Sequence, residues 1–347
     1  MSADRLTPAR AVYQPVFDHL ERLTDERGLF EHALRSVPRR EHGYCVDDVA
    51  RGLVVACREP APVPAARRLA RCYLAFVIDA LDPSGACHNR MAVDGHWRDE
   101  AATGDWWGRA LWGLGTAATR APAPGMRARA LGAFRIAAQR RSPHVRSMAF
   151  AALGAAELLR QRPGELAARR LLTGTLAVMA EPAGGESRWP WPEDRLTYAN
   201  ASVAEALIVA GDALPDTRAL DRGLGLLEFL LKIESRDGHL SVTPVGGRGP
   251  ADAGPGYDQQ PIEVSALADA CASAFRITHQ SSWLTGVRLA WDWFLGDNDS
   301  GTPMFDPNTG GGYDGLERHG RNLNQGAEST LAMLATAQHA RRLGDLE

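Results

Sequence analysis

The sequence has almost no lysine and no paired cysteine motif, and both absences narrow the chemistry it can perform. Lys232 is the only lysine among 347 residues. It lies inside the apolar stretch LEFLLKIES, so neither a phosphate-binding Walker loop nor a lysine Schiff base is expected. The five cysteines are odd in number and show no CxxC or Cys/His metal spacing. We therefore expect free thiols in a reducing compartment, with no metal and no other cofactor.

Long hydrophobic runs and strong net charge are also missing. The N-terminal stretch MSADRLTPAR is polar and lacks a signal-peptide core, and runs such as EALIVAG are far too short to cross a bilayer. A formal net charge of −3 gives no electrostatic reason to expect nucleic acid or an anionic membrane as a partner. These features predict a cytoplasmic protein, and they leave its oligomeric state open.

Helical periodicity dominates what is present. Twelve amphipathic segments follow one another, from residues 9–23 to residues 325–343, and no strand longer than a few residues is expected. The even-numbered segments are rich in alanine and glycine, whereas the odd-numbered ones carry arginine and glutamate on one face. The even-numbered segments start about 40 to 65 residues apart, which is typical of helical-hairpin repeats. Their starts lie near Asp47, Asp105, His144, Ala199, Ile262 and Gln325.

Six such hairpins, closed into a ring with the small-residue helices inside, make an all-α (α/α)6 barrel. We predict that residues 1–347 form one such domain. An open solenoid is disfavoured because the repeats differ in length and sequence. The long links all precede even-numbered helices, so they lie at one end of the ring, where binding and catalytic sites are usually built. These links are residues 23–46, 82–104, 181–198, 235–260 and 296–324.

The long loops share a composition of aromatic side chains mixed with carboxylates, amides and arginine. Aromatic rings stack on the C–H faces of sugars, and polar groups bind the hydroxyls. Paired carboxylates are what cleavage of a glycosidic bond needs. We predict Asp48, Asp105 and Asp194 as candidates for the general acid and base. The predicted substrate-binding residues are Tyr44, Asp47, Trp106, Trp107, Arg109, Trp189, Trp191, Glu193, Tyr198, Asp258, Gln259, Tyr313, Asp314, Asn324, Gln325 and Glu328.

These loop residues are expected to converge on one pocket. Trp106 and Trp107 begin an inner helix, so both are predicted to point into the mouth of the ring beside Asp105. Simpler interpretations exist for single pieces. Asp47 and Asp105 are also good helix N-caps, and the WPWP stretch is compatible with a loop that packs on itself. The DNDSG stretch at 297–301 does not continue as a calcium loop.

Six stretches together resemble a bacterial family of carbohydrate-active (α/α)6-barrel proteins, often found beside or fused to glycosyltransferases and sugar phosphorylases. The stretches are HGYCVDDVARGL, GRALWGLG, SRWPWPEDRLTYANA, DQQPIEVSALADAC, WDWFLGDNDSG and GGGYDGLERHGRNLNQGAEST, and they lie within the region of resemblance, about residues 28–335. Two positions depart from the family pattern. Val49 replaces the asparagine of DDNAR, and Ala199 replaces the aspartate of TYDN, which removes a carboxylate. The resemblance implies a fold and a substrate class.

The predicted function is that of a glycoside hydrolase acting on an oligosaccharide or glycan. By analogy with the fold, inversion with a water nucleophile is expected. One alternative is a sugar epimerase or polysaccharide lyase on the same fold, for which His88, Tyr198 and Tyr313 are available. Another is a non-catalytic glycan-binding partner of a glycosyltransferase.

Overall fold

The computed structural model describes residues 16–60, 63–179 and 189–344. Twelve α-helices lie in these ranges. The predicted first helix begins at residue 9, and residues 9–15 lie outside the described ranges, as do residues 181–188 of the third long link. The helices are α1 Asp18–Arg22, α2 Val46–Arg58, α3 Pro64–Asp79, α4 Asp105–Arg120, α5 Pro124–Ala137, α6 Val145–Gln161, α7 Leu166–Val178, α8 Asn200–Ala213, α9 Thr217–Ile233, α10 Pro261–Thr278, α11 Ser282–Leu295 and α12 Ala327–Gly344.

The six even-numbered helices form a closed ring. Each contacts the next, from α2 through α4, α6, α8 and α10 to α12, and α12 returns to α2. The odd-numbered helices pack outside this ring, with α3, α5, α7, α9 and α11 each on the helix before it and α1 on α12. The contact between α12 and α2 closes the ring, so the predicted (α/α)6 barrel is confirmed. Among the helices described, none has the length and hydropathy to cross a membrane.

Side-chain size explains which helices lie inside. The inner helix α8 is buried continuously from Asn200 to Gly211, because its alanines, serine and glycine allow neighbours to approach from every side. The outer helix α9 buries only one stripe at the helical period, while its charged residues face outward. That stripe is Ala219, Gly223, Leu226, Leu227 and Leu230.

Glycine sets the closest approach between two inner helices, α4 and α6. A Cβ atom on Gly154 would lie 2.1 Å from the carbonyl oxygen of Leu111, and one on Gly115 would lie 2.2 Å from the carbonyl oxygen of Gly154. The two backbones therefore touch, and only a hydrogen atom fits between them.

Replacing Gly154 with alanine should therefore destabilise the protein by about 1–3 kcal/mol, because the new methyl group meets backbone atoms that cannot rotate away. Gly132 on the outer helix α5 is a matched control, since nothing lies within 4 Å of a Cβ built there. Gly132→Ala should stabilise by roughly 0.5–1 kcal/mol through helix propensity alone. Urea unfolding of both variants tests this prediction, and shifts of the same sign would contradict it.

The loops divide between the two ends of the barrel as predicted. Each link from an inner to an outer helix is short, whereas five of the six links that lead into inner helices are long. The long links carry two-residue antiparallel strands, and β3 with β4 ties the loop before α2 to the loop before α4. The strands are β1 Ala33–Leu34, β2 Val37–Pro38, β3 Tyr44–Cys45, β4 Arg90–Met91, β5 Ser235–Arg236, β6 His239–Leu240, β7 Phe305–Asp306, β8 Gly311–Gly312, β9 Leu316–Glu317 and β10 Gly320–Arg321.

Candidate active site

Acids and arginines from the first turns of the inner helices meet at the long-loop end. Asp47 and Asp48 lie in the first turn of α2, Asp105 begins α4, and Glu328 lies in the first turn of α12. Two cavities open there, and they share Asp47 and Arg109. We call them the α2–α12 cavity and the α4–α6 cavity. The α2–α12 cavity is also lined by Glu31, His32, Cys45, Asp48, Arg51, Arg90, Gln260, Asp314, Gly326, Glu328 and Ser329. The α4–α6 cavity is also lined by Asn89, Gly104, Asp105, Trp106, Pro143, His144, Val145, Arg146, Glu193 and Tyr198.

Asp105 is held in place by hydroxyl groups in the α4–α6 cavity. The Ser147 hydroxyl donates a hydrogen bond to one carboxylate oxygen at 2.7 Å, and the Tyr198 hydroxyl donates to the other. Arg146 positions the tyrosine, because its Nε donates to the main-chain oxygen of Tyr198 at 2.7 Å and its guanidinium carbon lies 4.9 Å from the ring centre. Arg146 also donates to Glu193 at 2.6 Å. Burial, together with Asp105, raises the pKa of Tyr198.

Asp48 occupies a different environment in the α2–α12 cavity. Its side chain is buried and forms an ion pair with Arg51, which also donates to Glu328 at 2.8 Å. Burial raises the pKa of Asp48 to about 7; Arg51 opposes this shift, and the charges of Glu328 and Glu31 add to it. With this pKa, Asp48 is about half protonated at pH 7, so a fraction of the molecules carries the proton that a general acid donates.

Arg109 and Asp47 form the boundary shared by the two cavities. The Arg109 guanidinium donates to Asp47 at 2.8 Å, and its central carbon lies 4.5 Å from the ring centre of Phe150. The carboxyl groups of Asp48 and Asp105 thus lie in adjoining cavities that meet at this pair.

The N-cap interpretation of the two predicted aspartates is wrong. The cap positions are Cys45 for α2 and Gly104 for α4, and neither makes a side-chain capping bond. Asp47 and Asp105 lie inside their helices, and their carboxylates bind Arg109 and the Ser147 and Tyr198 hydroxyls instead.

Of the nineteen predicted site residues, nine line the two cavities. They come from four separate segments of the chain, which the ring brings to the same end. Trp106 is one of them, and its indole nitrogen donates to the main-chain oxygen of Cys87 at 2.6 Å. The nine are Asp47, Asp48, Asp105, Trp106, Arg109, Glu193, Tyr198, Asp314 and Glu328.

Trp107 and Asp194 do not lie where they were predicted. Trp107 is fully buried, and its indole nitrogen donates to Gly85 at 3.1 Å, so it packs into the core instead of pointing into the mouth. Asp194 is exposed and lines neither cavity, whereas the preceding residue, Glu193, faces Arg146. Trp189 and Trp191 lie behind Glu193, and their indole nitrogens donate to it at 2.8 and 3.2 Å.

The other six predicted residues lie outside the cavity linings, and five of them have local roles. The Tyr44 hydroxyl donates to Asp25 at 2.7 Å, and the Tyr313 ring lies 4.1 Å from the guanidinium carbon of Arg321. The three amides hold loops together. Gln259 donates to Asp299, Gln325 accepts from Thr309, and Asn324 accepts from the Arg35 backbone. The sixth, Asp258, is exposed.

The site residues predicted from the sequence include Arg109 but none of the other arginines at the mouth. Arg51 pairs with Asp48, and Arg146 pairs with Glu193. A signal for both exists in the sequence, because each lies in one of the first two turns of an inner helix, where acids from neighbouring helices converge. Arginine is so frequent in this chain that the type of residue alone did not identify them.

One trio of side chains offers potential metal ligands, because the ligand atoms of Glu31, Cys45 and Asp48 lie within 4.8 Å of one another. The two carboxylates already form ion pairs with Arg90 and Arg51. Burial and the nearby acids raise the pKa of the Cys45 thiol, which keeps it protonated and unsuited to ligation. The trio therefore fits a metal ion poorly.

Beneath both cavities lies an apolar hollow inside the ring. Val54, Trp112, Phe150 and Ile262 line it, together with Ala199, which precedes α8 with a left-handed φ of 45°. The departure from the family pattern thus places a methyl group, instead of a carboxylate, at the wall of this hollow.

Comparisons with known proteins place this geometry on a fold used by sugar-converting enzymes. The chain matches no protein-family model and no curated protein. It is similar to a sugar epimerase from a ruminal bacterium, with a TM-score of 0.69, 13% identity and coverage of 94% of this chain and 95% of the other. It is also similar to cellobiose 2-epimerase from Bacillus thermoamylovorans, with a TM-score of 0.69, 12% identity and coverage of 93% and 95%.

A third similar structure is the GH76 α-mannanase from Bacteroides thetaiotaomicron, with a TM-score of 0.61, 12% identity and coverage of 95% of both chains. These similarities establish the fold that the sequence resemblance implied. Because the identities are low, the reaction has to be inferred from the side chains at the mouth.

Proposed function

We propose that this protein is an enzyme that hydrolyses glycosidic bonds in an oligosaccharide or glycan. The observation that carries the proposal is the set of carboxylates from the first turns of α2, α4 and α12 in two adjoining cavities. Only two histidines line these cavities within the described ranges, His32 in one and His144 in the other. This balance favours carboxylate chemistry over proton exchange at a sugar carbon. The unpaired thiols of all five cysteines support a cytoplasmic location.

In the proposed mechanism, Asp48 is the general acid and Asp105 is the general base. Asp48 gives its proton to the glycosidic oxygen as the bond to the anomeric carbon breaks. Asp105 takes a proton from a water molecule, whose oxygen forms the new bond to that carbon. Trp106 offers an aromatic surface to the sugar, and Arg109, held by Asp47, donates to its hydroxyls.

The direct test is hydrolysis of an oligosaccharide panel in H2(18)O. We expect one 18O atom in each new reducing end, and proton NMR of the fresh product should show the anomer opposite to that of the substrate. Inversion corresponds to a carboxyl separation of roughly 6.5–9.5 Å, which leaves room for the water. Binding of the sugars without any cleavage would favour the non-catalytic alternative.

Epimerisation is the second candidate, because Tyr198 and His144 share the α4–α6 cavity and sugar epimerases share the fold. An epimerase removes and returns a proton at a sugar carbon, so it incorporates deuterium from D2O at that carbon and releases no new reducing end. Running the same panel in D2O separates the two reactions.

The pKa of Asp48 predicts the pH dependence of this reaction. As a general acid it must be protonated, and burial raises its pKa to about 7 from the ordinary 3.8. The protonated, active form is therefore lost as pH rises, and kcat/KM should fall about tenfold per pH unit above pH 7. A pH–rate profile of the wild type checks this, with Asp48→Asn as the control that should lack this limb. A wild-type rate that rises between pH 7 and 9 would contradict the assignment.

A further inference from the structure

The opposite end of the barrel carries a ring of six titratable side chains, one from each inner helix. Arg58 donates to Glu157 at 2.9 Å and to Asp269 at 2.7 Å, which joins three of the six helices. Arg120 donates to the other oxygen of Glu157 at 3.0 Å, and His339 lies 2.7 Å from Asp269. Glu205 on α8 completes the ring.

The charges within this ring cancel. The two arginines face two acids, Glu157 and Asp269, whose carboxylates they hold directly. Burial, with the charge of Asp269, raises the pKa of Glu205 to about 8, so Glu205 is neutral at pH 7. Burial lowers the pKa of His339, so it is neutral as well.

The six side chains of this ring line a cavity, and three further arginines, Arg160, Arg276 and Arg342, line it as well. Arg160 is exposed and has no acidic side chain within 4.0 Å among the described residues, and Arg276 reaches only Asp212, at 4.0 Å. Arg342 donates to the main-chain oxygen of Arg58 at 2.8 Å. Burial lowers the pKa of both Arg276 and Arg342; neighbouring arginines add to the shift, and nearby acids oppose it without cancelling it.

Helix dipoles account for only part of this arrangement. These three arginines lie in the last turns of α6, α10 and α12, where a helix end carries about half a negative charge. The full positive charge of each arginine exceeds the half negative charge of the helix end beside it. A second observation points to a ligand: one carboxyl oxygen of the buried Glu205 accepts from the Ser273 hydroxyl at 2.7 Å, and the other has no hydrogen-bond partner among the described residues. A neutral carboxyl group there has an O–H to donate and no acceptor for it.

We propose that this cavity, the far-end cavity, binds a phosphate-type dianion, either inorganic phosphate or the phosphate group of a sugar phosphate. Arginine forks match the oxygens of phosphate, and a protonated carboxyl group adds one further donor. Arg160 and Arg342 supply positive charge that no acid pairs with among the described residues, Arg276 adds a guanidinium that lies 4.0 Å from Asp212, and Glu205 supplies the O–H.

This site is separate from the mouth where we propose hydrolysis. The apolar hollow lies between them, and its wall includes a stack of side chains, with Arg58 5.3 Å from the ring of Trp112, the rings of Trp112 and Phe150 6.3 Å apart, and Arg109 4.5 Å from Phe150. The proposal therefore stands independently of the hydrolytic activity, and its test requires no turnover.

The test is isothermal titration of inorganic phosphate into the wild type and into Arg160→Gln and Arg342→Gln. We expect one phosphate per chain, with affinity at least tenfold weaker in each variant. Arg129→Gln on the outer helix α5 is the matched control, because Arg129 is exposed, lies outside the far-end cavity and loses the same charge. Circular dichroism verifies the fold of each variant, and Arg160, which forms no ion pair with any described residue, gives the cleanest comparison.

Glucose 6-phosphate and glucose, titrated in parallel, identify the source of the phosphate. Tighter binding of glucose 6-phosphate than of phosphate supports a sugar phosphate, and equal binding supports the free anion. The proposal is overturned if phosphate produces no binding heat. It is also overturned if chloride at equal ionic strength competes equally well, or if Arg160→Gln and Arg342→Gln bind phosphate like Arg129→Gln, because the anion then occupies another site.

Discussion

Replacing Asp105 with asparagine should lower the rate of glycoside cleavage by about 10²–10⁴ while leaving the fold intact. The amide keeps the shape of the side chain but cannot take a proton from water. In the wild type, the Ser147 hydroxyl donates to one carboxylate oxygen of Asp105 and the Tyr198 hydroxyl donates to the other. Both hydroxyls can rotate to accept from an amide, so the variant should still fold and bind sugar. The loss is therefore expected in kcat more than in KM.

Asp194→Asn is the matched control for this prediction. It removes the same charge from an exposed aspartate that lines neither cavity, so its rate should equal that of the wild type. Tyr198→Phe is informative as well, because it removes only a hydrogen bond to Asp105 and should have a smaller effect than Asp105→Asn. If Asp105→Asn cleaves at the wild-type rate, Asp105 is not the base. Loss of activity in Asp194→Asn would instead favour Asp194 as the base.

The sequence was sufficient to predict the ring because the fold depends on repeated local features. Small residues on every face of six helices require burial on all sides, and the long links all precede those helices. The first turns of the inner helices must then meet at one end, which is why Asp47, Asp48, Asp105 and Glu328 were predicted to converge on one pocket. Such an inference depends on the order of helices along the chain and not on the orientation of any side chain.

The orientation of single side chains could not be predicted in the same way. Adjacent residues on a helix point about 100° apart, so Trp106 and Trp107 cannot both face the mouth. Which one does so depends on the rotation of α4 against α6, and this is set by the contact at Gly115 and Gly154. Glu193 and Asp194 differ for a related reason, because the irregular loop turns only the first toward Arg146.

The far-end cavity was missed because its members are spread over six helices at no fixed spacing. Each arginine taken alone resembles an ordinary cation in the last turn of a helix. The buried acids Glu157, Glu205 and Asp269 each appear in an apolar stretch as an isolated exception. Glu157 and Asp269 become partners of one cation only when the ring closes, because closure brings Arg58 between them.

Replacing Arg58 with methionine should destabilise the protein by about 3–5 kcal/mol at pH 7, because it leaves two buried carboxylates without the cation they share. The Arg58 side chain is itself largely buried, and its guanidinium also lies over the ring of Trp112 at 5.3 Å. Arg120 still holds one oxygen of Glu157, whereas Asp269 keeps its hydrogen bond with the neutral His339 and loses its cation, so Asp269 bears most of the loss. Urea unfolding at pH 7 measures the effect.

A surface ion pair provides the control for Arg58→Met. Arg195 lies 3.1 Å from Asp252, and both side chains are 49% exposed. The same arginine-to-methionine change there should cost only about 0–1 kcal/mol. Equal losses in the two variants would show that the ring at the far end contributes no more than a surface contact.

The pH dependence of the difference between wild type and Arg58→Met provides a second test. In the wild type, burial opposes ionisation of Glu157, but Arg58 and Arg120 outweigh it and lower its pKa to about 2 from 4.5. Its stabilising contribution is therefore fully present above pH 4.5 and is lost as pH falls toward 2. In Arg58→Met the buried carboxylates bind protons more readily, so the folded variant is relieved of unpaired charge as pH falls. The destabilisation should therefore shrink between pH 7 and pH 4.5, whereas a loss that stays constant over this range would point to lost packing on Trp112 instead.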